Sequence, residues 1–164
     1  MRPFHLIVSC SENLVIGRDG LLPWSIPEDT HFFQQQTAGQ VVLMGRVGFA
    51  TWPGATTEGR RSVLVSAHPW ENPQRMPTVT EPDFPSALAA AAALPGEIYI
   101  CGGARIYREA MEHPAVGLLY LTLVHAKVEG DTYFPDWRER FPRELARRDS
   151  SDERWRYSFL TLGR

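Results

Sequence analysis

Two adjacent acids, Glu28 and Asp29, lie in LLPWSIPEDTHFF (21–33) and run straight into two aromatics, Phe32 and Phe33. Pro27 suits the first position of a helix, where its missing N–H would be unpaired anyway. Acids in the first turn meet the positive end of the helix dipole. Residues three and four apart share a helical face, so Asp29 faces the same way as Phe32 and Phe33, and Glu28 the same way as His31 and Phe32. One carboxylate is therefore aimed at an apolar surface, where a charge is costly. Such an acid has a raised pKa and can handle a proton near neutrality; the alternative is a solvated first-turn carboxylate. Trp24, between Pro23 and Ser25, favours the proton chemistry. An indole can stack on a flat ligand or hold an ordered water through its N–H.

A second group of residues suits anions. In EIYICGGARIYREAM (97–111) a strand ends at Cys101, Gly102 and Gly103 follow, and a helix begins. Paired glycines allow close backbone approach, and a helix start offers free N–H groups to phosphate. VVLMGRVGF (41–49) repeats the pattern, with Arg46 after Gly45. An arginine can fork onto a phosphate. Two such junctions suit a dinucleotide, which carries a pyrophosphate and, in its NADP form, a further phosphate. VSAHPW adds Ser66 and His68 after a third strand, and EGRRSVLVS sets Arg60 and Arg61 at that strand's mouth, as solvated charges or as a grip for a ligand carboxylate.

Positioning these groups requires strands that deliver their ends to one cleft. Apolar runs of strand length recur at FHLIVSC, VVLM, SVLVS, EIYIC and LLYLTLV. Helix-like segments lie between them at 27–36, 45–51, 86–93 and 104–111. The alternation predicts parallel strands with crossover helices. RWRYSFLTL (154–162) alternates instead, with Trp155, Tyr157 and Phe159 on one face and Arg154, Arg156 and Ser158 on the other. That predicts a half-buried antiparallel strand late in the sheet. The loop 11–25 is long enough to suggest function.

Composition sets the frame. The 164 residues are most simply one domain, 43% hydrophobic and 22% charged, with net charge −2. The most basic stretch, RELARRD, is interrupted by Glu144 and Asp149, which argues against a nucleic-acid partner. Cys10 and Cys101 read as buried thiols, too few for a cysteine-based zinc site, and no metal is expected. ALAAAAAL (87–94) falls well short of a membrane span. The N-terminal MRPFHLIVSC reads as a first strand rather than a signal peptide, so the expected location is the cytoplasm.

Five stretches, VIGRDGLLPWSIPED, VVLMGR, GRRSVLVS, ICGGARIY and YLTLVHAKVEGDTYFPD, occur in the order and spacing of the dihydrofolate reductase family, which the chain resembles from about residue 4 onward. The resemblance implies a central mixed, mainly parallel eight-stranded sheet flanked by helices, with an antiparallel C-terminal strand. It implies reduction of 7,8-dihydrofolate by NADPH, with hydride transfer to C6 and protonation at N5, in one-carbon metabolism. Asp29 then matches the active-site carboxylate, Glu28 is the solvated acid, and Trp24 lies near an ordered water. Thr122 matches the threonine that orients the carboxylate, and Leu22 a position beside the reacting rings. Ile7, Val8, Ser9, Phe33, Cys101 and Tyr107 match positions around the pteridine and nicotinamide; Thr30, Trp52 and Thr57 line the benzoyl pocket; Arg60 grips the glutamate-tail carboxylate. For NADPH, the matching positions are Ser9, Ile16, Gly17, Gly20 and Leu22; Gly45, Arg46, Val47 and Gly48; Val65, Ser66 and Ala67; Cys101, Gly102, Gly103, Ala104, Arg105, Ile106 and Tyr107; and Asp131. The loop 11–25 resembles a mobile lid, braced by Gly130 and Asp131. Gly48, Ala67, Thr30, Thr57 and Trp52 depart from the family's usual residues at the rim. The competing readings are a relative acting on another pterin or a pyrimidine, and a folate- or nucleotide-binding protein without activity. The expected state is a monomer.

Overall fold

A computed structural model describes residues 2–164. Along the chain lie β1 (Phe4–Ser11), β2 (Val15–Gly17), α1 (Pro27–Thr37), β3 (Val41–Gly45), α2 (Arg46–Thr51), β4 (Arg61–Val65), β5 (Val79–Glu81), α3 (Phe84–Ala92), β6 (Ile98–Ile100), α4 (Ala104–Glu112), β7 (Val116–Val124), β8 (Thr132–Tyr133), β9 (Arg143–Ser151) and β10 (Arg156–Gly163). The six strands and four helices expected from the apolar runs all form. Helix α3 begins two residues early because the Asp83 side chain accepts the Ser86 N–H at 2.8 Å and caps it.

Eight strands make one sheet in the order β5-β4-β3-β6-β1-β7-β10-β9. From β5 to β7 every pairing is parallel; β10 runs antiparallel to β7 and to β9. The central strands are mostly apolar because both faces are covered. One face packs with α3 and α4 through Phe84, Leu88, Ile106 and Met111. The other meets α1 and the lid end through Trp24, Ile26, Phe32 and Phe159, and α2 through Met44 and Phe49.

Two expectations change. The C-terminal strand is not half-buried: Tyr157, Ser158, Phe159 and Leu160 are all buried. With β7 on one edge and β9 on the other, β10 is an inner strand, and Tyr157 and Phe159 face one core while Leu160 and Leu162 face the other. Buried Ser158 is satisfied by His125 Nε2 at 2.7 Å and by donating to Asp149 at 2.6 Å. The loop 11–25 is also more ordered than a plain loop. Strand β2 pairs with β8, and Arg18 and Leu21 exchange backbone hydrogen bonds of 2.8 and 3.1 Å around Asp19-Gly20. Both turn residues have positive φ, 52° and 82°, the geometry of a tight I′ hairpin that an Asp-Gly pair favours.

Candidate active site

The C-terminal ends of β1, β3 and β6 open into one cleft of about 1240 Å³, where ligands of parallel α/β sheets collect. Asp29 lies on its floor, 9% exposed. Thr122 of β7 donates its hydroxyl to Asp29 Oδ1 at 2.6 Å. Burial pushes the Asp29 carboxyl above its ordinary value; the Thr122 and Ser9 hydroxyls pull it partly back, and the nearby Glu28 charge adds to the rise. The carboxylate is thus an anion held where anions are costly, with hydroxyl donors placed to hold it.

Glu28 is the solvent-facing acid, as expected, but it is not unpartnered. Its Oε1 accepts from Ser150 Oγ at 2.6 Å and the Tyr157 hydroxyl at 2.7 Å, and its Oε2 from Arg148 Nη1 at 2.7 Å. Those three donors, Ser150 foremost, pull its pKa down to about 2. The two acids differ because the helix turns one toward the cleft and the other toward the β9–β10 hairpin. Phe32 and Phe33 diverge likewise, Phe32 onto Phe159 and Phe33 onto Trp52, with ring centroids 5.1 and 4.6 Å apart.

The indole of Trp24 donates to Ser9 Oγ at 3.0 Å. Of the two uses open to this indole, stacking on a ligand or holding a water, neither is what its N–H does here: it is engaged by a side chain. Tyr107 donates its hydroxyl to the Ile7 carbonyl at 2.7 Å and is buried beneath the cleft. Burial raises both it and the Cys101 thiol, so each stays protonated at neutral pH.

The two glycine junctions lie side by side: the Gly45 N–H donates to the Gly102 carbonyl at 3.0 Å. The Gly102–Gly103 peptide is cis. A Cβ on Gly45 would stand 3.4 Å from Ile106 Cδ1, and one on Gly103 would meet nothing within 4 Å, so this cradle is open on the side where α4 begins. Arg46 reaches Ser66 Oγ at 3.1 Å and the His68 and Pro69 carbonyls at 3.4 Å, and stacks on Trp70. The cradle and this arginine–serine pair fit the pyrophosphate and the extra phosphate of a dinucleotide.

The cleft is lined by every residue assigned to it from sequence except Thr57, Arg60 and Asp131. Thr57 is exposed and its hydroxyl donates to the Gly54 carbonyl at 3.1 Å. Thr30 lines the cleft, but its hydroxyl turns back to the Ile26 carbonyl at 3.4 Å. Neither hydroxyl therefore presents an unmet polar group to a ligand ring. Asp131 accepts the Asp19 N–H at 2.9 Å and so braces the loop rather than the cleft. Arg60 is the larger departure. Its side chain is 1% exposed, and its donors go to Thr37 Oγ1 and to the Gln34, Gly54 and Thr57 carbonyls at 2.6–3.2 Å. The Glu58 carboxylate lies 3.4 Å from its Nη2. Leu21, Met44, Thr51 and Asp83 also line the cleft and escaped the sequence reading. For Asp83 the sequence carried a signal only for its place at the start of α3, since Asp three residues before Ser86 reads as a helix cap.

A family model for Dihydrofolate reductase matches residues 3–164. The chain is 37% identical over 165 residues to the dihydrofolate reductase of Neisseria gonorrhoeae, covering 98% of this chain and 97% of the relative. It is 37% identical over 163 residues to dihydrofolate reductase type 3 of Salmonella typhimurium, covering 97% and 96%. The structure of dihydrofolate reductase from Enterococcus faecalis, complexed with NADP(H) and RAB-propyl, superposes with a TM-score of 0.83 at 27% identity, over 99% of this chain and 96% of that one.

Proposed function

The chain belongs to the dihydrofolate reductase family, and from that premise we propose that Asp29 and Thr122 carry the proton-handling side of its reaction, the NADPH-dependent reduction of 7,8-dihydrofolate to 5,6,7,8-tetrahydrofolate. One observation carries the assignment: a single buried carboxylate, oriented by Thr122 at 2.6 Å, lies on the floor of the cleft. NADPH, when bound, supplies the hydride that reaches C6 of the substrate. Asp29 holds the pteridine by its 2-amino group and N3, and its negative charge raises the proton affinity of N5. Ile7, Phe33 and Trp52 supply the apolar walls, and Leu22 with the loop 11–25 closes the cleft and excludes water. Gly102, Gly103 and the start of α4 hold the pyrophosphate, and Arg46 with Ser66 the 2′-phosphate.

Arg60 holds the α-carboxylate of the substrate's glutamate tail from outside the cleft lining, through the face now shared with Glu58. We read residues 1–164 as one domain, acting in the cytoplasm as a monomer without a nucleic-acid partner. No helix among the described residues is long and apolar enough to cross a membrane. The test is loss of NADPH absorbance with dihydrofolate at neutral pH in Asp29→Asn and Glu28→Gln variants that remain folded. Asp29→Asn should cost on the order of 10²–10⁴-fold and Glu28→Gln far less. The reverse ranking overturns the assignment.

A further inference from the structure

Asp29 has a second hydroxyl beside it. Ser9 on β1 and Thr122 on β7 are register partners, so their side chains leave the sheet on the same face, about 4.8 Å apart, as in-register neighbours do. Both meet the first turn of α1. Thr122 takes Asp29 Oδ1. A serine hydroxyl has one proton and two lone pairs, whereas an indole N–H only donates. At the 3.0 Å contact, therefore, Trp24 is the donor and Ser9 the acceptor. The Ser9 proton is left for another group, and Asp29, held by Ser9's register partner Thr122, is the buried carboxylate on that face.

We propose that Ser9 is a positioning residue of the reaction: its hydroxyl receives the Trp24 N–H and directs its own proton to Asp29, tying the end of the lid to the buried carboxylate. Trp24 closes the loop 11–25 and packs, 6% exposed, with Ile26, Tyr157 and Phe159. A shift of the lid that carries Trp24 away frees the Ser9 lone pair and with it the orientation of the Ser9 proton. The carboxylate then loses a donor and holds its own proton more tightly. Lid position and proton affinity are coupled through one side chain.

Few charges compete for this role. On α1, Glu28 is turned to Arg148, Ser150 and Tyr157, and His31 is exposed. Beside the cleft floor, Cys101 and Tyr107 are kept neutral by burial. Ser9 and Thr122 themselves do not titrate.

The inference rests on Asp29 as the working carboxylate, and the experiment separates the two. Single-turnover reduction of dihydrofolate is followed across pH with NADPH and its C4-deuterated form, in the parent, Ser9→Ala, Ser9→Thr, Trp24→Phe and the Ser9→Ala/Trp24→Phe pair. Ser9→Ala should slow the isotope-sensitive step about tenfold, the usual scale for one charge-assisted hydrogen bond. It should also move the apparent pKa of that step upward, because the anion has lost a donor. Ser9→Thr, which keeps the hydroxyl, should restore the parent profile. Trp24→Phe should cost less in the Ser9→Ala background than in the parent, since the tie is already broken. An unchanged pH profile in Ser9→Ala, or a Ser9→Thr variant no better than Ser9→Ala at equal melting temperature, overturns the inference. If Asp29→Asn itself keeps full activity, the assignment of the carboxylate fails instead.

Discussion

Asp29→Asn removes a charge that the fold keeps from water while leaving an oxygen for the Thr122 hydroxyl. Burial raises the Asp29 pKa above 3.8, so the folded state binds that proton more tightly than the unfolded chain. The stability this provides is full below the unfolded value and is lost as pH rises through the folded one. The variant should therefore melt above the parent at pH 7, with the gap closing toward pH 3, while reduction of dihydrofolate collapses. Scanning calorimetry at several pH values checks it. A second prediction concerns the tail site. Glu58, held at φ 55°, places a carboxylate 3.4 Å from Arg60, the residue we propose for the substrate's tail carboxylate. Glu58→Gln should lower KM for dihydrofolate several-fold and leave KM for a tail-less dihydropterin unchanged, whereas Arg60→Ala should raise only the former. Equal shifts for both substrates would assign these residues to the scaffold. Asp29 was legible in sequence because helical spacing aims one of the two acids at an apolar face and the family resemblance says which. The Trp24–Ser9 contact was not, because it joins a loop to a strand and has no periodicity.

Helix α1 is fastened to the C-terminal hairpin by Glu28, and this tie has its own pH signature. With its pKa lowered to about 2, Glu28 contributes stability that is present above its ordinary 4.5 and lost as pH falls through 2. Glu28→Gln should lower the melting temperature at pH 7, and the difference should shrink as the pH approaches 2. Helix α2 offers the opposite case. Gly48 interrupts it, and a Cβ there would stand 3.6 Å from Met44 Cβ, an ordinary contact, with no positive φ to strain it. Gly48→Ala should stabilise the protein by about 0.5–1 kcal/mol, read by denaturant titration. Gly48→Thr should in addition tighten NADPH binding, read as its Kd. Elements differ in how much of themselves they write into sequence. β1, β3, β4, β6 and β7 are mostly apolar because they are covered on both faces. β9 is exposed along almost its whole length, so RELARRDSS carries no buried pattern and read only as a basic stretch. β2, β5 and β8 have two or three residues each, too few for any period. The Asp-Gly of the lid hairpin was a readable turn signal; the pairing of β2 with β8 depends on residues more than a hundred positions apart.

At the scale of the molecule, both sheet edges discourage self-association. β5 is three residues long, and β9 lines its free edge with Arg143, Glu144, Arg147, Arg148 and Asp149, the short and charged edges that block strand addition. Sedimentation should give the mass of one chain across a wide concentration range; a concentration-dependent dimer would count against the monomer. The sheet order has a further consequence, for biosynthesis. β1 lies between β6 and β7, so during synthesis it must wait for partners that end at residues 100 and 124. Pairings so distant in sequence form slowly and leave hydrophobic edges exposed meanwhile. The wall on which Trp24 and Phe32 rest comes later still, with Tyr157 and Phe159. A nascent chain stalled before β10 therefore lacks that wall, so the cleft floor is complete only after residues 157–159 have joined the sheet.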